Sequence, residues 1–415
     1  MELLLLTDRW PNSAVTEFLD EEIHYLAAVF EKVVVVPTRP DGSVRLQLPV
    51  NVFVDYSLAN RLTSFGPWKW PAPRKMVVAF RSLIPKRCGL GASRIKNWRD
   101  WLNVSWQRAS LIGRSDFLSV SSWAKKRKRP DVVYTFWLTS SSAALKAAWP
   151  EVPIVSRVHG GDLYSEVHGW QSIPFQATSV QALSLLASVS DHGRIYLNRK
   201  FPASTKKIVT RRLGIPDLGI PVRSNRKADQ VAILSASSII PVKRVDLILQ
   251  VMQTLVSSGL NVNWTHLGDG PGRTALERAL SVDTSNSLRV ELRGHVPLHE
   301  VRQELVSGRY DLFINLSLSE GAPVSLMEAQ CVGIPAVATD VGGTSEVISE
   351  AFNELVSSSA SLIEISAAVR RGINRDSKES TWRRQHWSAN YYAAANYTSW
   401  ATEIREIARL SRVRD

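Results

Sequence analysis

The sequence predicts an α/β protein made of two doubly wound domains, and three observations support this fold class. Short apolar runs, among them LLLLT (3–7), KVVVVP (32–37), VAILSAS (231–237) and IPAVATD (334–340), alternate with longer stretches of helical apolar spacing. Such alternation is typical of parallel sheets covered by helices. A length of 415 residues exceeds one ordinary core. Finally, residues 211–230 are rich in Pro, Gly and charge, and a new strand pattern follows at once.

These features predict a definite domain layout. Residues 1–218 form a first domain, residues 219–385 form a second, and a ligand cleft lies between them. The tail HWSANYYAAANYTSWATEIREIARL (386–410) has an amphipathic pattern without helix breakers. We therefore expect residues 386–415 to form one or two final helices that pack aromatic faces back across the domains.

Composition indicates a globular protein, with 44% hydrophobic and 21% charged residues. Only two cysteines occur, Cys88 and Cys331, so a disulfide scaffold or zinc cluster is excluded and a reducing cytosol is expected. The apolar run before Asp8 is too short for a signal-peptide core, and no run has membrane-spanning length. The sequence predicts a cytoplasmic protein.

Positive charge is concentrated in one segment, residues 61–130. It holds 17 Lys and Arg against two acids, a net charge of +15, while the whole chain carries +13. Six of the 14 tryptophans also fall here: Trp68, Trp70, Trp98, Trp101, Trp106 and Trp123. Basic residues interleaved with Trp favour an anionic membrane surface. A nucleic-acid surface uses similar residues, and a solvated basic face with buried Trp is the third interpretation.

The stretch SLSEGAPVSLMEAQCVGIPAVATDVGGTSEVI (317–348) predicts a phosphate and sugar site. The strand DLFINLSLS ends in the loop SEGAP, and Pro323 suits the first turn of the next helix. That helix start presents backbone N–H groups that can hold a phosphate. Glu320 lies on the loop and Glu328 lies inside the helix. Each carboxylate can accept two hydroxyl hydrogen bonds, as a vicinal diol requires.

This block resembles the retaining GT-B glycosyltransferases of family four. The shared features are two Glu separated by seven residues, a Gly-x-Pro after the first, and GIPAVATDVGG beyond the second. The segments HLGDGPGRTALERAL (266–280), ELRGHVPLHEV (291–301) and SASSIIPVKRVDLIL (235–249) are also similar to that family. In the N-terminal half, residues 10–23, 134–143 and 156–166 resemble bacterial exopolysaccharide enzymes of the colanic-acid type.

The resemblance implies transfer of a sugar from a nucleotide-diphosphate sugar to an acceptor hydroxyl, with retention and without a metal or other cofactor. The residues it assigns to catalysis are His159, Lys243 and Glu320. Those it assigns to substrate binding are Ser238, Arg244, Gly268, Gly294, Gly321, Ala322, Pro323, Val324, Glu328 and Asp162. The family usually has an Arg where Ser238 stands, and we expect Arg244 to supply that charge.

The implied partners are a nucleotide-sugar donor, a glycan or lipid-linked acceptor and the anionic inner face of the cell membrane, with no nucleic acid. Several alternatives stay open. A phosphorylase or sugar-nucleotide epimerase would share the fold. The sequence lacks the early Gly-rich fingerprint of a nicotinamide oxidoreductase. A function in nucleic-acid binding would not explain the acid pair. His159 also has an alternative as a structural histidine, and Asp162 as a turn cap.

Overall fold

The computed structural model describes residues 1–12, 18–44, 46–62, 98–221, 230–281, 286–376 and 378–413. It divides into two compact units. Unit 1 comprises residues 1–189, 193–211 and 397–415, and unit 2 comprises residues 190–192 and 212–396. The second unit thus begins inside the predicted break at 211–230. The family resemblance implies that the first domain binds the acceptor and the second binds the donor, and both assignments stay predictions.

The first half of the chain alternates strands and helices from its start. Its strands are β1 (Glu2–Thr7), β2 (Lys32–Pro37), β3 (Val52–Val54), β4 (Val132–Thr135), β5 (Ile154–Val158), β6 (Leu185–Ser188) and β7 (Ile208–Thr210). Its helices are α1 (Phe18–Val29), α2 (Ala59–Leu62), α3 (Trp98–Ala124), α4 (Ser140–Ala148), α5 (Gly160–Leu163), α6 (Gln176–Ala182) and α7 (Asp191–Lys200).

The sheet of unit 1 is parallel, with strand order β3-β2-β1-β4-β5-β6-β7. The order reverses between β1 and β4, which is the topological switch point of a doubly wound sheet. Both faces are covered, because Leu4 and Leu6 of β1 enter one core while Leu3 and Leu5 enter the other. Successive side chains of a strand point to opposite faces of the sheet, so β1 contributes to the core on each face.

The second half of the chain repeats the pattern. Its strands are β8 (Gln230–Ala236), β9 (Asn261–Leu267), β10 (Leu288–Leu292), β11 (Leu312–Asn315), β12 (Ala336–Thr339) and β13 (Glu354–Val356). Its helices are α8 (Val245–Ser257), α9 (Arg273–Ser281), α10 (Leu298–Val306), α11 (Val324–Cys331), α12 (Thr344–Val347), α13 (Leu362–Ile373), α14 (Glu379–Tyr391) and α15 (Ala393–Arg412).

The sheet of unit 2 is also parallel, with strand order β10-β9-β8-β11-β12-β13. Its order reverses between β8 and β11. The loops that leave the carboxyl ends of these two neighbouring strands, residues 237–244 and 316–323, therefore lie side by side. Ligands of doubly wound sheets bind at this point.

Helices α14 and α15 contain most of the predicted tail, but the first of them begins at Glu379 and not at residue 386. From Tyr397 onward α15 belongs to unit 1, where Trp400, Ala401, Ile404 and Ala408 complete the core around Leu3 and Leu5. The aromatic side chains of this helix cover a buried ion pair. Arg157 of β5 donates to Glu22 of α1 at 2.5 Å, and its guanidinium centre lies 5.1 Å from the Trp400 ring.

No helix within the ranges described above is long and apolar enough to cross a membrane. Half of the basic segment, residues 63–97, lies outside those ranges, as do the side chains of Trp98, Trp101 and Trp106. Trp123 is an exception within the segment. It is 2% exposed and donates from Nε1 to Ser57 Oγ, so this tryptophan belongs to the core and is not a surface residue.

Candidate active site

The loops that follow β8 and β11 are joined by their backbones. Leu318 N donates to Val242 O at 2.8 Å, and the guanidinium Nε of Arg244 donates to Leu316 O at 2.6 Å. Residues 241–243 form one 3-10 turn beginning with a proline, whose fixed φ suits that position. The sequence-predicted residues Lys243 and Glu320 are thereby held at one edge of the sheet.

Lys243 and Glu320 form the central contact of this edge. Lys243 Nζ lies 2.5 Å from Glu320 Oε1, and the two side chains are 24% and 10% exposed. The same carboxylate oxygen also accepts from Asn315 Nδ2 at 3.3 Å. A cation, a carboxylate and an amide therefore meet where the loop residue Glu320 precedes α11, and this arrangement can bind both phosphate and hydroxyl groups.

The loop that carries Glu320 is fixed from below by β12 and the turn after it. Thr339 Oγ1 donates to Ser317 O at 2.5 Å. Gly342, with φ of +56°, passes so close that a Cβ built on it would lie 1.7 Å from Glu320 O. Only glycine fits this conformation and spacing. Gly342 and Gly343 therefore approach the backbone of the loop that carries Glu320, residues 316–323, which we call the glutamate loop.

Helix α11 begins one residue after its predicted start. Pro323 is the N-cap, and Leu326 N and Met327 N both donate to its carbonyl oxygen. Gly321 and Pro323 are buried, while Ala322 and Val324 are half-buried. Glu328 is the fifth residue of the helix, only 4% exposed in its side chain, and its Oε1 lies 3.8 Å from Arg302 Nε of α10. Its binding to a ribose stays a prediction.

Arg244, which was expected to supply the charge of the missing family arginine, contacts backbone carbonyl oxygens. Its φ is +47°, in the left-handed region, and it caps the start of α8. Its guanidinium group donates to Leu316 O and, through Nη1, to Ser358 O at 2.8 Å. These contacts make Arg244 a cross-link between backbone segments. Ser238, five residues before Lys243, is exposed on the loop after β8. Whether either residue contacts a donor stays a prediction.

Gly268 and Gly294 are brought together at the ends of β9 and β10. Gly268 N donates to Gly294 O at 2.8 Å, which forms an isolated bridge between the two loops. A Cβ on Gly268 would lie 1.9 Å from Ser237 O. The loops after β8, β9 and β10 are thus packed backbone against backbone at the edge that bears Lys243.

A buried histidine supports that packing. His266 Nε2 lies 3.1 Å from Ser237 O and must donate to it, so Nδ1 accepts from Ser235 Oγ at 2.8 Å. Trp264 Nε1 donates to the same hydroxyl. Burial lowers the pKa of His266 to about 4 from its ordinary value of 6.5. The ring is therefore neutral at physiological pH and holds a fixed tautomer.

In unit 1, His159 directly follows β5 at the carboxyl edge of the sheet. Its ring packs between Phe136 and Trp137, with ring centroids 4.7 and 4.5 Å away. Burial, assisted by Arg157, lowers its pKa well below the ordinary 6.5. His159 is consequently neutral, and the residue is 7% exposed. Contact between this residue and a transferred sugar stays a prediction.

Asp162 shows the turn-capping contacts of its alternative interpretation. One carboxylate oxygen accepts from His159 N at 2.6 Å and the other accepts from Leu138 N at 2.7 Å. Burial raises the pKa of Asp162 to about 7, although these backbone hydrogen bonds oppose the shift. The side chain therefore ties the loop after β4 to the turn that follows His159.

Two residues with clear roles were not identified from the sequence. Asn315 was read only as part of a strand, although its position at the carboxyl end of β11 was a usable signal. Glu346 lies in the first turn of its own helix, where an acidic residue is common. In the structure its carboxylate accepts from Asp191 N and His192 N at 2.8 and 2.7 Å and pairs with Arg212.

Metal coordination has no candidate in the part of the chain that the structure covers. Groups of three or more His, Cys, Asp or Glu side chains that could hold a metal ion are absent there. The predicted positive charge at the site comes from Lys243, whose partner is Glu320.

Two parallel doubly wound units of this kind, each with its strand order reversing at one point, define the GT-B fold. The chain is similar over 99% of its length to the lipopolysaccharide outer core galactosyltransferase WaaB in its apo form, which it covers completely, with a TM-score of 0.63 and 14% identity. Residues 220–388 match the family described as glycosyl transferases group 1.

Curated relatives agree with the family match. The chain is 25% identical over 276 residues to the putative teichuronic acid biosynthesis glycosyltransferase TuaC of Bacillus subtilis, covering 61% of this chain and 63% of that protein. It is 29% identical over 177 residues to the putative colanic acid biosynthesis glycosyltransferase WcaL of Escherichia coli, covering 40% and 41%.

A plant relative matches over a shorter region. One component of the phosphatidylinositol N-acetylglucosaminyltransferase of Arabidopsis thaliana is 33% identical over 128 residues, covering 31% of this chain and 28% of that protein. The chain therefore spans less than two thirds of the length of each of these curated relatives.

Proposed function

We propose that this protein is a retaining glycosyltransferase that moves a sugar from a nucleotide-diphosphate sugar to an acceptor hydroxyl. The observation that carries the proposal is the Lys243–Glu320 pair at the switch point of unit 2. It lies within the region that matches the group 1 family. A cation suited to a diphosphate and a carboxylate suited to sugar hydroxyls occupy the place where doubly wound sheets bind ligands.

The proposed chemistry is electrostatic. Negative charge develops on the departing nucleoside diphosphate, and Lys243 together with the backbone N–H groups at the start of α11 stabilises it. No metal or other cofactor is required in this proposal, since these groups supply the positive charge. The departing phosphate helps to deprotonate the acceptor hydroxyl, and the new bond retains the anomeric configuration. His159, neutral because it is buried, contacts the transferred sugar.

The proposed acceptor is a glycan or lipid-linked oligosaccharide of bacterial exopolysaccharide, capsule or lipopolysaccharide synthesis. The names of TuaC and WcaL, both similar to this chain, support polysaccharide synthesis. The net charge of +15 in residues 61–130 supports a peripheral position on the anionic inner face of the cell membrane. Lys125, Lys126, Lys128 and Arg129 of that segment are exposed.

A thermal-shift screen tests the donor assignment. The chain is incubated with UDP-, GDP- and dTDP-sugars, and we expect one of them to raise the melting temperature. The product of the matching donor is then analysed for its anomeric configuration and for net transfer. Absence of any shift would contradict the proposal, and a free sugar phosphate as product would indicate the phosphorylase alternative.

Sedimentation with anionic vesicles tests the membrane assignment. We expect binding at low salt that weakens as ionic strength rises, because exposed charges are screened. Failure to sediment at low salt would remove the membrane from the proposal. Tight binding to nucleic acid in the same conditions would favour the nucleic-acid alternative, and a thermal shift with NADH would favour the oxidoreductase.

A further inference from the structure

Asn315 occupies a buried position between β11 and the glutamate loop. It is the last residue of the strand and is 8% exposed. Its Oδ1 accepts from Ser317 N at 3.0 Å and from Ser317 Oγ at 2.6 Å. Because a backbone N–H can only donate, the atom that faces Ser317 must be the amide oxygen. The orientation of the Asn315 amide is thereby fixed, and Nδ2 points to Glu320.

The two donors at Glu320 reach the same oxygen. Lys243 Nζ and Asn315 Nδ2 both contact Oε1, at 2.5 and 3.3 Å. Within the described part of the chain, Oε2 receives no hydrogen bond. The Asn315 side chain contacts Ser317 through Oδ1 and Glu320 Oε1 through Nδ2. It therefore determines the rotamer of Glu320 and leaves Oε2 to accept from a ligand.

The two donors differ in what a diphosphate does to them. Lys243 carries a full charge on a flexible stem, so a bound diphosphate competes directly with Glu320 for it. The Asn315 amide is neutral and its oxygen is held by Ser317. A bound diphosphate therefore does not draw it away from Glu320. Once the ammonium turns to phosphate, Asn315 is the donor that still holds Oε1.

We infer that Asn315 is a positioning residue for Glu320: it fixes the carboxylate so that Oε2 accepts a hydroxyl of the donor sugar while Lys243 binds the diphosphate. The inference rests on the proposed function, because it requires a nucleotide sugar in unit 2. It adds a division of roles, in which the amide acts on the sugar side and not on the nucleotide side.

The test compares free nucleoside diphosphate with the nucleotide sugar found in the screen, using the full chain. The variants are Asn315→Ala and Asn315→Asp, and the matched control is Asn263→Asp on β9, which accepts a single weak contact from Gln230 at 3.4 Å. For both Asn315 variants we expect affinity for the free nucleoside diphosphate within about twofold of wild type, and kcat/KM lower by about tenfold or more. The control should match wild type in both.

The pH dependence of Asn315→Asp separates positioning from packing. The introduced carboxyl group faces Glu320, with Lys243 as the only other charged side chain that contacts Glu320 in the described residues. Two adjacent carboxyl groups resist joint ionisation, so the introduced group takes up a proton as pH falls. A protonated carboxyl donates as the amide did. The turnover of Asn315→Asp relative to wild type should therefore rise as pH falls from about 8 to about 5, while that of Asn315→Ala stays level.

Each remaining outcome overturns a specific statement. If wild type binds no nucleotide sugar, the proposed function fails and this inference fails with it. If wild type turns over but Asn315→Ala keeps its kcat/KM, the inference alone is wrong. A relative turnover of Asn315→Asp that does not change with pH, or an equal loss of free nucleoside diphosphate affinity in both variants, shows that Asn315 only supports the local fold.

Discussion

Gly342 lies against the carbonyl oxygen of Glu320, so close that a Cβ on Gly342 would be 1.7 Å from it. The turn after β12 thus serves as the floor of the glutamate loop. The two residues are 22 positions apart in the sequence. They come together because β11 and β12 are adjacent parallel strands whose carboxyl ends lie at the same edge of the sheet.

Substitution of this glycine tests the floor directly. Gly342→Ala should lower the free energy of unfolding by roughly 2–5 kcal/mol, because it combines a left-handed φ with a backbone clash. Gly219→Ala is the matched control, with φ of +89° and nothing within 4 Å of the added Cβ. It should cost only about 1 kcal/mol. Urea unfolding of both variants gives the comparison, and equal losses would contradict the close approach.

Removal of either charged partner at the site should abolish turnover. We expect Lys243→Ala and Glu320→Ala to reduce kcat by about 100-fold or more, because each removes a charge that the reaction uses. Initial rates with the screened donor measure this. Lys32→Ala is the control, since it breaks an exposed ion pair with Glu2 of 3.0 Å. Near-wild-type rates in either site variant, with the fold intact by circular dichroism, would contradict the assignment.

His266 should make stability depend on pH. Its pKa is lowered from 6.5 to about 4 in the folded chain, so the unfolded chain binds the proton first as pH falls. The stability contributed by the neutral ring is complete above pH 6.5 and is lost progressively down to about 4, by at most about 3 kcal/mol.

The measurement is urea unfolding at several pH values in this range. His266→Gln removes the titrating group, so the variant should lack the pH dependence that His266 causes, and the difference in stability between wild type and variant should change across this range. An identical pH dependence in both would show that His266 is already protonated or exposed in the native chain.

The buried pair Glu22–Arg157 should behave as one unit. Burial raises the pKa of Glu22 even though Arg157 opposes the shift, so a lone charge there is costly. Glu22→Gln or Arg157→Met alone should destabilise by about 3–5 kcal/mol. The double variant should cost less than the sum of the two.

A surface pair provides the comparison for this cycle. Arg409→Ala breaks an exposed contact with Glu406 of 2.8 Å and should change stability by less than about 1 kcal/mol. Chemical unfolding of all four variants measures the coupling energy. Additive losses in the double variant would mean that the two buried charges do not depend on each other.

The fold was predictable because its main strands are continuous apolar runs. VAILSAS, KVVVVP and IPAVATD all became buried parallel strands, since a strand covered on both faces needs apolar residues throughout. The short strands β3, β7 and β13, of three residues each, carry too little pattern to stand out. The strand-end rule also placed Glu320 at the carboxyl edge of a sheet, whereas Lys243 was assigned by the family resemblance.

Contacts between residues that are far apart in the sequence were not predictable. Nothing local in the sequence links Glu346 to the backbone of Asp191 and His192. The two positions come together only when the sheet of unit 2 has formed. Arg244 shows the same limit, because a left-handed φ redirects its side chain to carbonyl oxygens. A pattern of residue types specifies neither a backbone turn nor a distant partner.

Helix α15 affects the order in which the two units fold during synthesis. Tyr397 and Trp400 cover Arg157, and Ala401, Ile404 and Ala408 fill the core beside β1. A ribosome makes these residues after all of unit 2. Until then, the N-terminal unit cannot complete its hydrophobic core or cover the Glu22–Arg157 ion pair. Unit 2 can therefore fold first. Fragments that stop before residue 397 should consequently aggregate, although they contain every strand of both sheets.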